Sequence, residues 1–441
     1  MPLVIVAASV VVLLVLVLRL RLQAFVALLL TSAAAGLALG MDPAAVLESV
    51  RQGMASTLGF IAVVVGLGAI FGAILEAAGG VRAIADALLE RLGSRLSTWA
   101  LSLTGFLVAI PVFFDVALVI LAPLIRRLAG QSGRTVLYFA TPLLGGLVIA
   151  HAFVPPTPGP IAVAELLGAD LGWVIGMGVL CGLPAMVIAG PLLAGLMGSI
   201  RTRPVAAIDE PGDGPVRIGA GSAVFAIVLP LVLIVGNTAG RTVLPEGGLR
   251  QALEFVGHPF VALLIACLYA YVLFGLRAGM DTRRLQEIMT QALEPAGIVV
   301  LVTGAGGVFK QVLIDSGVGE MLGETLSRHA LPPMLLAFIL AGVIRICQGS
   351  ATVAMITSAG LMAPILEHFT LNDAHEALIV IAIASGATLA SHVNDSGFWL
   401  VNRYLNLTEG ETLRSWTVIS TVAGLVGFIV ASLVAVLIPP G

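Results

Sequence analysis

Apolar runs recur from one end of the chain to the other, with polar residues gathered between them. Runs near the length needed to cross about 30 Å of hydrocarbon fall at 3–18, 22–40, 54–78, 134–168, 171–199, 219–238, 259–276, 293–314, 376–405 and 416–438. Two others, Leu96–Leu128 and Pro332–Phe369, are too long for one crossing and too short for two. Each has helix-breaking or polar residues near its middle, "AIPVFFD" (Ala109–Asp115) and "RICQGSATVA" (Arg345–Ala354). A re-entrant hairpin that enters and leaves on one side accounts for both. Such backbone persists at membrane depth only against protein or water. The predicted fold class is an all-α polytopic membrane protein.

Two of the full spans also break. "HAFVPPTPGP" (His151–Pro160) brings a histidine and four prolines where hydrocarbon should continue, and "SHVNDSGF" (Ser391–Phe398) interrupts the run near the other end. Proline removes a backbone donor and blocks the helical bond. Freed carbonyls and half-helix N-termini then become ligands for an anion or a coupling cation.

Internal repetition links these features. "VALLLTSAAAGLALGMD" (Val26–Asp42) is echoed by "VALLIACLYAYVLFGLRAGMD" (Val261–Asp281), and "LGAIFGAILEAAGG" (Leu67–Gly80) by "AGGVFKQVLIDSGV" (Ala305–Val318). "GGLVIAH" (Gly145–His151) lies over "GATLASH" (Gly386–His392), and the offset stays at about 240 residues throughout. The chain therefore divides into a first repeat, 1–200, a cytoplasmic linker, 201–217, and a second repeat, 218–441. Each repeat holds about five spans, a hairpin and a broken helix. An odd span count turns the second half upside down. Inverted repeats are the architecture of secondary transporters, with the substrate held where discontinuous helices meet.

Charge orients this plan. Arginines gather at Arg19 and Arg21, at Arg82, Arg91 and Arg95, at Arg126, Arg127 and Arg134, at Arg201 and Arg203, and at Arg277, Arg283 and Arg284. The intervening loops Met41–Ala45 and Glu165–Asp170 have no basic residue, and Asn237–Pro259 has only Arg241 and Arg250. By the positive-inside rule both termini face outward. The amphipathic Ala83–Leu96 reads as an interfacial helix and the acidic Asp209–Asp213 as part of a solvated linker. Composition agrees: 59% of the 441 residues are hydrophobic and 11% charged, and a net charge of −3 does not suggest a nucleic-acid partner. The three cysteines lie apart in apolar segments, so neither disulfides nor a metal site is indicated.

Ionisable residues within apolar runs are functional candidates by default. Asp115 is a candidate for proton coupling, its alternative a structural bond to a nearby hydroxyl or amide. His151 and His392, at matched repeat positions before the two breaks, are candidates for proton coupling, His151 also for substrate, or are ordinary buried histidines. Asn394 and Asp395 are candidates for substrate and proton respectively, or a capping pair for amides freed by the break. Lys310 either contacts substrate or forms a helix-locking pair with Asp315. Arg345 suits a carboxylate through its planar fork, against a structural ion pair. Gly349, Ser350 and Thr352 offer amides and hydroxyls at the second hairpin tip. Thr157 and Ser391 complete the set at the breaks.

Several motifs resemble a known family: "FFDVALVILAPL", "HAFVPPTPGP", "GGVFKQVLIDSGVG", "GSATVAMITSAG" and "SHVNDSGFWLVNRYLNLTEGETLRSW". In order, and across nearly the whole chain, they resemble the gluconate permease family of bacterial gluconate:proton symporters, within the ion-transporter superfamily. The resemblance implies a homodimer of the bacterial cytoplasmic membrane. Each protomer would have a scaffold domain and a mobile transport domain carrying two re-entrant hairpins. Asp115 stands where the family usually has Glu, Thr157 where it often has His, and Ser396 where it often has Pro. These departures bear on substrate identity more than on fold.

The first functional reading is an importer of gluconate or a related hydroxylated monocarboxylate, driven by protons through elevator-type alternating access. It needs no cofactor or metal, and its partners are the sugar acid, the proton, membrane lipid and a second copy of the chain. A sodium-coupled di- or tricarboxylate carrier is the alternative; it should want more cations than Lys310 and Arg345. An intramembrane enzyme or channel comes last, since no HExxH, GxSxG or nucleotide-binding loop is present.

Overall fold

The computed structural model describes residues 2–200, 202, 218–318 and 332–438. The expected linker 201–217 thus lies almost wholly outside the described residues. Among those residues every regular element is helical.

In the first half these are α1 (Pro2–Leu18), α2 (Ala24–Ala38), α3 (Pro43–Ala77), α4 (Gly80–Leu92), α5 (Ser97–Ala109), α6 (Phe114–Ser132), α7 (Val136–Phe153), α8 (Pro158–Leu167), α9 (Leu171–Val187) and a short α10 (Ala194–Gly198). In the second they are α11 (Ala220–Val243), α12 (Gly248–Val256), α13 (Pro259–Tyr269), α14 (Thr282–Asp315), α15 (Pro333–Gln348), α16 (Ala351–Leu366), α17 (Asp373–Thr388), α18 (Ser396–Tyr404) and α19 (Glu409–Leu437). Seven helical stretches, several running on through a π-turn or a break, are long and apolar enough to cross a membrane.

Each segment expected to form a hairpin is a pair of helices joined by a short turn. α5, with 13 residues, is about 20 Å long at 1.5 Å per residue, well short of the hydrocarbon thickness. It turns back into α6 through Ile110–Phe113. α15 and α16, 16 residues each, turn at Gly349 and Ser350. The two breaks are equally clear, α7 giving way to α8 across Val154–Thr157 and α17 to α18 across Leu389–Asp395.

Two spans are longer than their apolar runs. α3 begins at Pro43, where the run 54–78 starts eleven residues later, and α14 at Thr282 rather than 293. Both start on a built N-terminus. Asp42 accepts the Ala44 amide with Pro43 following it, and Asp281 accepts the Arg284 amide. A capped polar first turn extends each helix beyond its apolar part.

Those caps are the aspartates of "GLALGMD" and "GLRAGMD". Their glycines, Gly40 and Gly279, take matching left-handed conformations with φ of 88° and 84°. Gly79 and Gly317, which pair in the second repeated motif, likewise have φ of 80° and 70° just past the ends of α3 and α14. Contacts repeat as well: α5 packs on α7 as α15 packs on α17. A Cβ on Gly146 would lie 2.1 Å from the Ser102 carbonyl oxygen, and one on Gly386 2.2 Å from that of Phe338. Only glycine lets these backbones approach so closely. α7 and α17 are buried along nearly their whole length, which explains apolar patterns with no polar face.

Across the halves, α3 and α14 make the most extensive crossing, α8 packs on α16, and α18 packs on α6. The amphipathic segment predicted at Ala83–Leu96 is α4, whose Val81, Ile84 and Ala85 are buried while its C-terminal turn is exposed.

Candidate functional site

The second break and the second hairpin tip build one polar cluster. α15 ends in a left-handed turn at Gly349, φ 86°, which places Arg345 in its last turn. Asn394 from the break donates Nδ2 to the carbonyls of Ile346 (2.9 Å) and Cys347 (3.2 Å). It thereby satisfies α15 carbonyls that have no partner within the helix. Asp395 caps α18, accepting the Gly397 amide at 3.1 Å. Of this pair, Asp395 makes the capping bond to an amide freed by the break, whereas Asn394 serves hairpin carbonyls.

Asp395 does more than cap. Arg345 Nη2 donates to its Oδ2 at 2.5 Å, and the Ser391 hydroxyl donates to the same oxygen. Trp416 Nε1 reaches Ser391 Oγ at 2.6 Å, Thr417 Oγ1 donates to the Ser391 carbonyl, and the Ser391 amide donates to Ser420 Oγ. Arg345 and Asp395 are only 4% and 9% exposed. The guanidinium is nevertheless underused, because Nε and Nη1 are buried with no partner.

The first hairpin closes this cluster from the other half. The Phe114 ring lies 5.1 Å from that of Trp416, and a Cβ on Gly397 would sit 3.6 Å from it. Asp115, next along α6, is exposed and lies within electrostatic reach of Asp395.

The first break carries fewer side-chain hydrogen bonds among the described residues. His151 occupies the last turn of α7, with its Nδ1 buried and unpaired and its ring 6.4 Å from that of Phe113. The Pro155–Pro156 peptide is cis, and Thr157 Oγ1 donates back to the Val154 carbonyl at 2.7 Å. Hairpin residues Pro111–Phe113 pack here against α3, where a Cβ on Gly72 would meet the Pro111 oxygen at 2.0 Å. Beside them opens a cavity of about 350 Å³ whose polar lining comes from Glu76, Arg284 and Gln291. Phe113 therefore faces one break and Phe114 the other.

The predicted residues thus divide. Arg345, Gly349, Ser350, Ser391, Asn394 and Asp395 form one cluster, with Asp115 at its edge. Ser350 caps α16 by accepting the Val353 amide, and Thr352 stands half-buried in that first turn. His151 and Thr157 belong to the other break. His392 departs from its expected place, since it lies inside the break and not before it. The Ala390 and Ser391 amides bond to Thr421 and Ser420 side chains, so α17 stops early, and the His392 ring turns to the Ala390 carbonyl.

The expected Lys310–Asp315 pair does not form. Lys310 Nζ donates to the Leu166 carbonyl at 2.7 Å, while Asp315 takes Ser49 and Gln311. Helical spacing of five points the two side chains differently, and a carbonyl at the end of α8 is the closer acceptor. Sequence reasoning missed Trp416, Ser420 and Phe114, whose partners lie far away in the chain.

Comparison places the chain among known proteins. The profile of the GntP family permease matches residues 1–438. The chain is 43% identical to the low-affinity gluconate transporter of Escherichia coli strain K12 over 411 residues, 92% of each chain. It is 38% identical to the Gnt-II system L-idonate transporter of the same strain over 432 residues, covering 97% of this chain and 98% of the relative. Among solved structures it resembles the YdaH transporter of Alcanivorax borkumensis (TM-score 0.65, 16% identity, 94% and 98% of the two chains covered). It also resembles MtrF of Neisseria gonorrhoeae (0.59, 14%, 88% and 83%). The latter two likenesses speak to fold alone. With seven membrane-length helical stretches and bacterial permeases as relatives, this is a multi-pass protein of the bacterial inner membrane, and the chain belongs to the GntP family of permeases.

Proposed function

We propose that the chain is a secondary transporter importing gluconate, or a related small sugar acid, together with a proton. Relatives named for gluconate and for L-idonate support the substrate class. The observation that carries the reading is Arg345, a buried guanidinium with two unpaired nitrogens where a hairpin tip meets a broken helix. A carboxylate is the natural complement of such a fork. Ser350, Thr352 and the half-helix N-termini supply donors for a polyol, and Asp115 and Asp395 supply carboxyls able to exchange a proton.

Cation count favours a monocarboxylate over a di- or tricarboxylate. Among the described residues, Arg345 is the cation bonded at this junction, and Lys310 is committed to the Leu166 carbonyl. The duplicated contacts and turns support two halves, 1–200 and 218–441, of inverted topology. Hairpins that pack on glycine-faced long helices suit an elevator motion in a homodimer.

Proteoliposomes test the reading. An inside-alkaline pH gradient should drive accumulation of labelled gluconate, and an excess of unlabelled sugar acids should compete where citrate does not. Accumulation that follows an imposed sodium gradient and ignores the pH gradient would refute proton symport.

A further inference from the structure

Arg345 and Asp395 are unequal partners. Both oxygens of Asp395 are engaged, Oδ2 by Arg345 and the Ser391 hydroxyl and Oδ1 by the Gly397 amide. Arg345 gives it one nitrogen and keeps Nε and Nη1 buried and unpaired. A guanidinium presents five donors in a fixed fork, and leaving buried charged donors unmade is costly. The open donors therefore call for a second anion. A sugar acid carries the same group as Asp395, and a bidentate grip is stronger than the single bond present.

The groups around Asp395 are few. α15 contributes Arg345, and α6 contributes Asp115 within electrostatic reach. α19 contributes Trp416, whose indole stays neutral, and Thr417. On its own loop stand Ser391 and His392, whose ring is engaged by the Ala390 carbonyl.

We propose that Arg345 is a shared cation: the substrate carboxylate takes it from Asp395, and the carboxylates of Asp395 and Asp115, left without it, take up one proton between them. The proton passes from hydronium in the outer water to a carboxylate oxygen, and no bond to the substrate forms. On the inner side the substrate leaves, Arg345 returns to Asp395, and the proton goes back to water. Two interacting acids bind such a proton as a pair, because like charges brought together are relieved by it. Charge bookkeeping then explains coupling. Anion and proton together leave the net charge of the site unchanged, whereas either alone shifts it by one unit and burdens the moving domain with an unpaired buried charge.

The inference rests on the gluconate reading, and calorimetry on the purified protein in detergent separates the two. Gluconate is titrated in buffers of different ionisation enthalpy, which counts protons taken up on binding. Wild type should take up about one proton per gluconate over part of the neutral range. Asp395→Asn should take up almost none, and at alkaline pH should bind about tenfold more tightly because the internal competitor is gone. Ser391→Ala keeps the ion pair and removes one donor to the carboxylate, so its linked uptake should persist to higher pH; this variant decides if Asp395→Asn does not fold. Wild type that binds and transports gluconate without taking up a proton would overturn the exchange, as would wild-type linkage in Asp395→Asn or an unshifted profile in Ser391→Ala. Wild type that neither binds nor transports gluconate would sink the functional reading itself, and the exchange with it.

Discussion

Gly349→Ala is the sharpest test of how the second hairpin is held. The new Cβ would lie 2.2 Å from the Asn394 carbonyl oxygen, 2.7 Å from its carbon and 2.9 Å from its Cγ. Backbone cannot yield as a side-chain end can, so tip and break must separate by roughly an ångström to restore van der Waals contact. That movement stretches both Asn394 bonds, to Ile346 at 2.9 Å and Cys347 at 3.2 Å. Left-handed backbone at φ 86° costs a residue with a Cβ about 1–2 kcal/mol. Two neutral hydrogen bonds contribute about 0.5–1.5 kcal/mol each. The docked tip should therefore weaken by roughly 2–5 kcal/mol, enough to leave it open much of the time.

Cys347, half-buried beside the tip, reports this directly once the buried Cys181 and Cys267 are replaced by serine. We expect maleimide labelling of Cys347 to accelerate at least about tenfold in Gly349→Ala, and gluconate uptake per unit of membrane protein to fall steeply. Gly410→Ala, where a Cβ meets nothing within 4 Å, is the control. Wild-type labelling and uptake in Gly349→Ala would mean the tip is not docked on Asn394 as described.

Three further outcomes follow from other parts of the fold. Single cysteines at Ser94 and Gly130, on either side of the first hairpin, should both label only from the cytoplasm; labelling from opposite faces would make that hairpin a true span. Lys310→Met should lower thermal stability by about 1–3 kcal/mol, the worth of a charged bond to the Leu166 carbonyl, and leave gluconate affinity unchanged; a weakened affinity would return Lys310 to the substrate site. Asp115→Asn should abolish uphill uptake yet spare gluconate counterflow, which needs binding and reorientation without net proton movement, and uphill uptake by that variant would remove Asp115 from coupling.

The breaks were legible because local chemistry marks them. Proline in "HAFVPPTPGP" and the Asn-Asp-Ser-Gly stretch after Val393 leave the backbone no regular helical course. The early starts of α3 and α14 were legible in principle from Asp42–Pro43 and Asp281, but hydropathy alone hides a polar first turn. Partnership was not legible. Arg345 and Asp395 are 50 residues apart, and nothing local says that a residue suited to a substrate carboxylate already holds an internal one. Trp416 and Phe114 look like ordinary apolar residues until the fold sets them against Ser391 and against each other. Lys310 misled for the opposite reason, since a nearby acid in sequence suggested a pair that helical geometry does not make.

The contacts between the two parts of the chain run crosswise. α8, which follows the first break, packs on α16 of the second hairpin, while α18, which follows the second break, packs on α6 of the first. Each break exposes helix ends whose amides and carbonyls would be unsatisfied in lipid, and in each case the opposite half's hairpin covers the half-helix beyond it. Adjacent residues at the first tip, Phe113 and Phe114, then touch the His151 break and the Trp416 wall of the Asp395 cluster respectively. A shift of that tip therefore reaches both breaks at once. Arg345, which holds Asp395, directly precedes Ile346 and Cys347, whose carbonyls Asn394 holds. On the proposed reading, the atoms that bind substrate and those that dock the hairpin are the same few, which is the physical condition for occupancy of the site to govern movement of the chain around it.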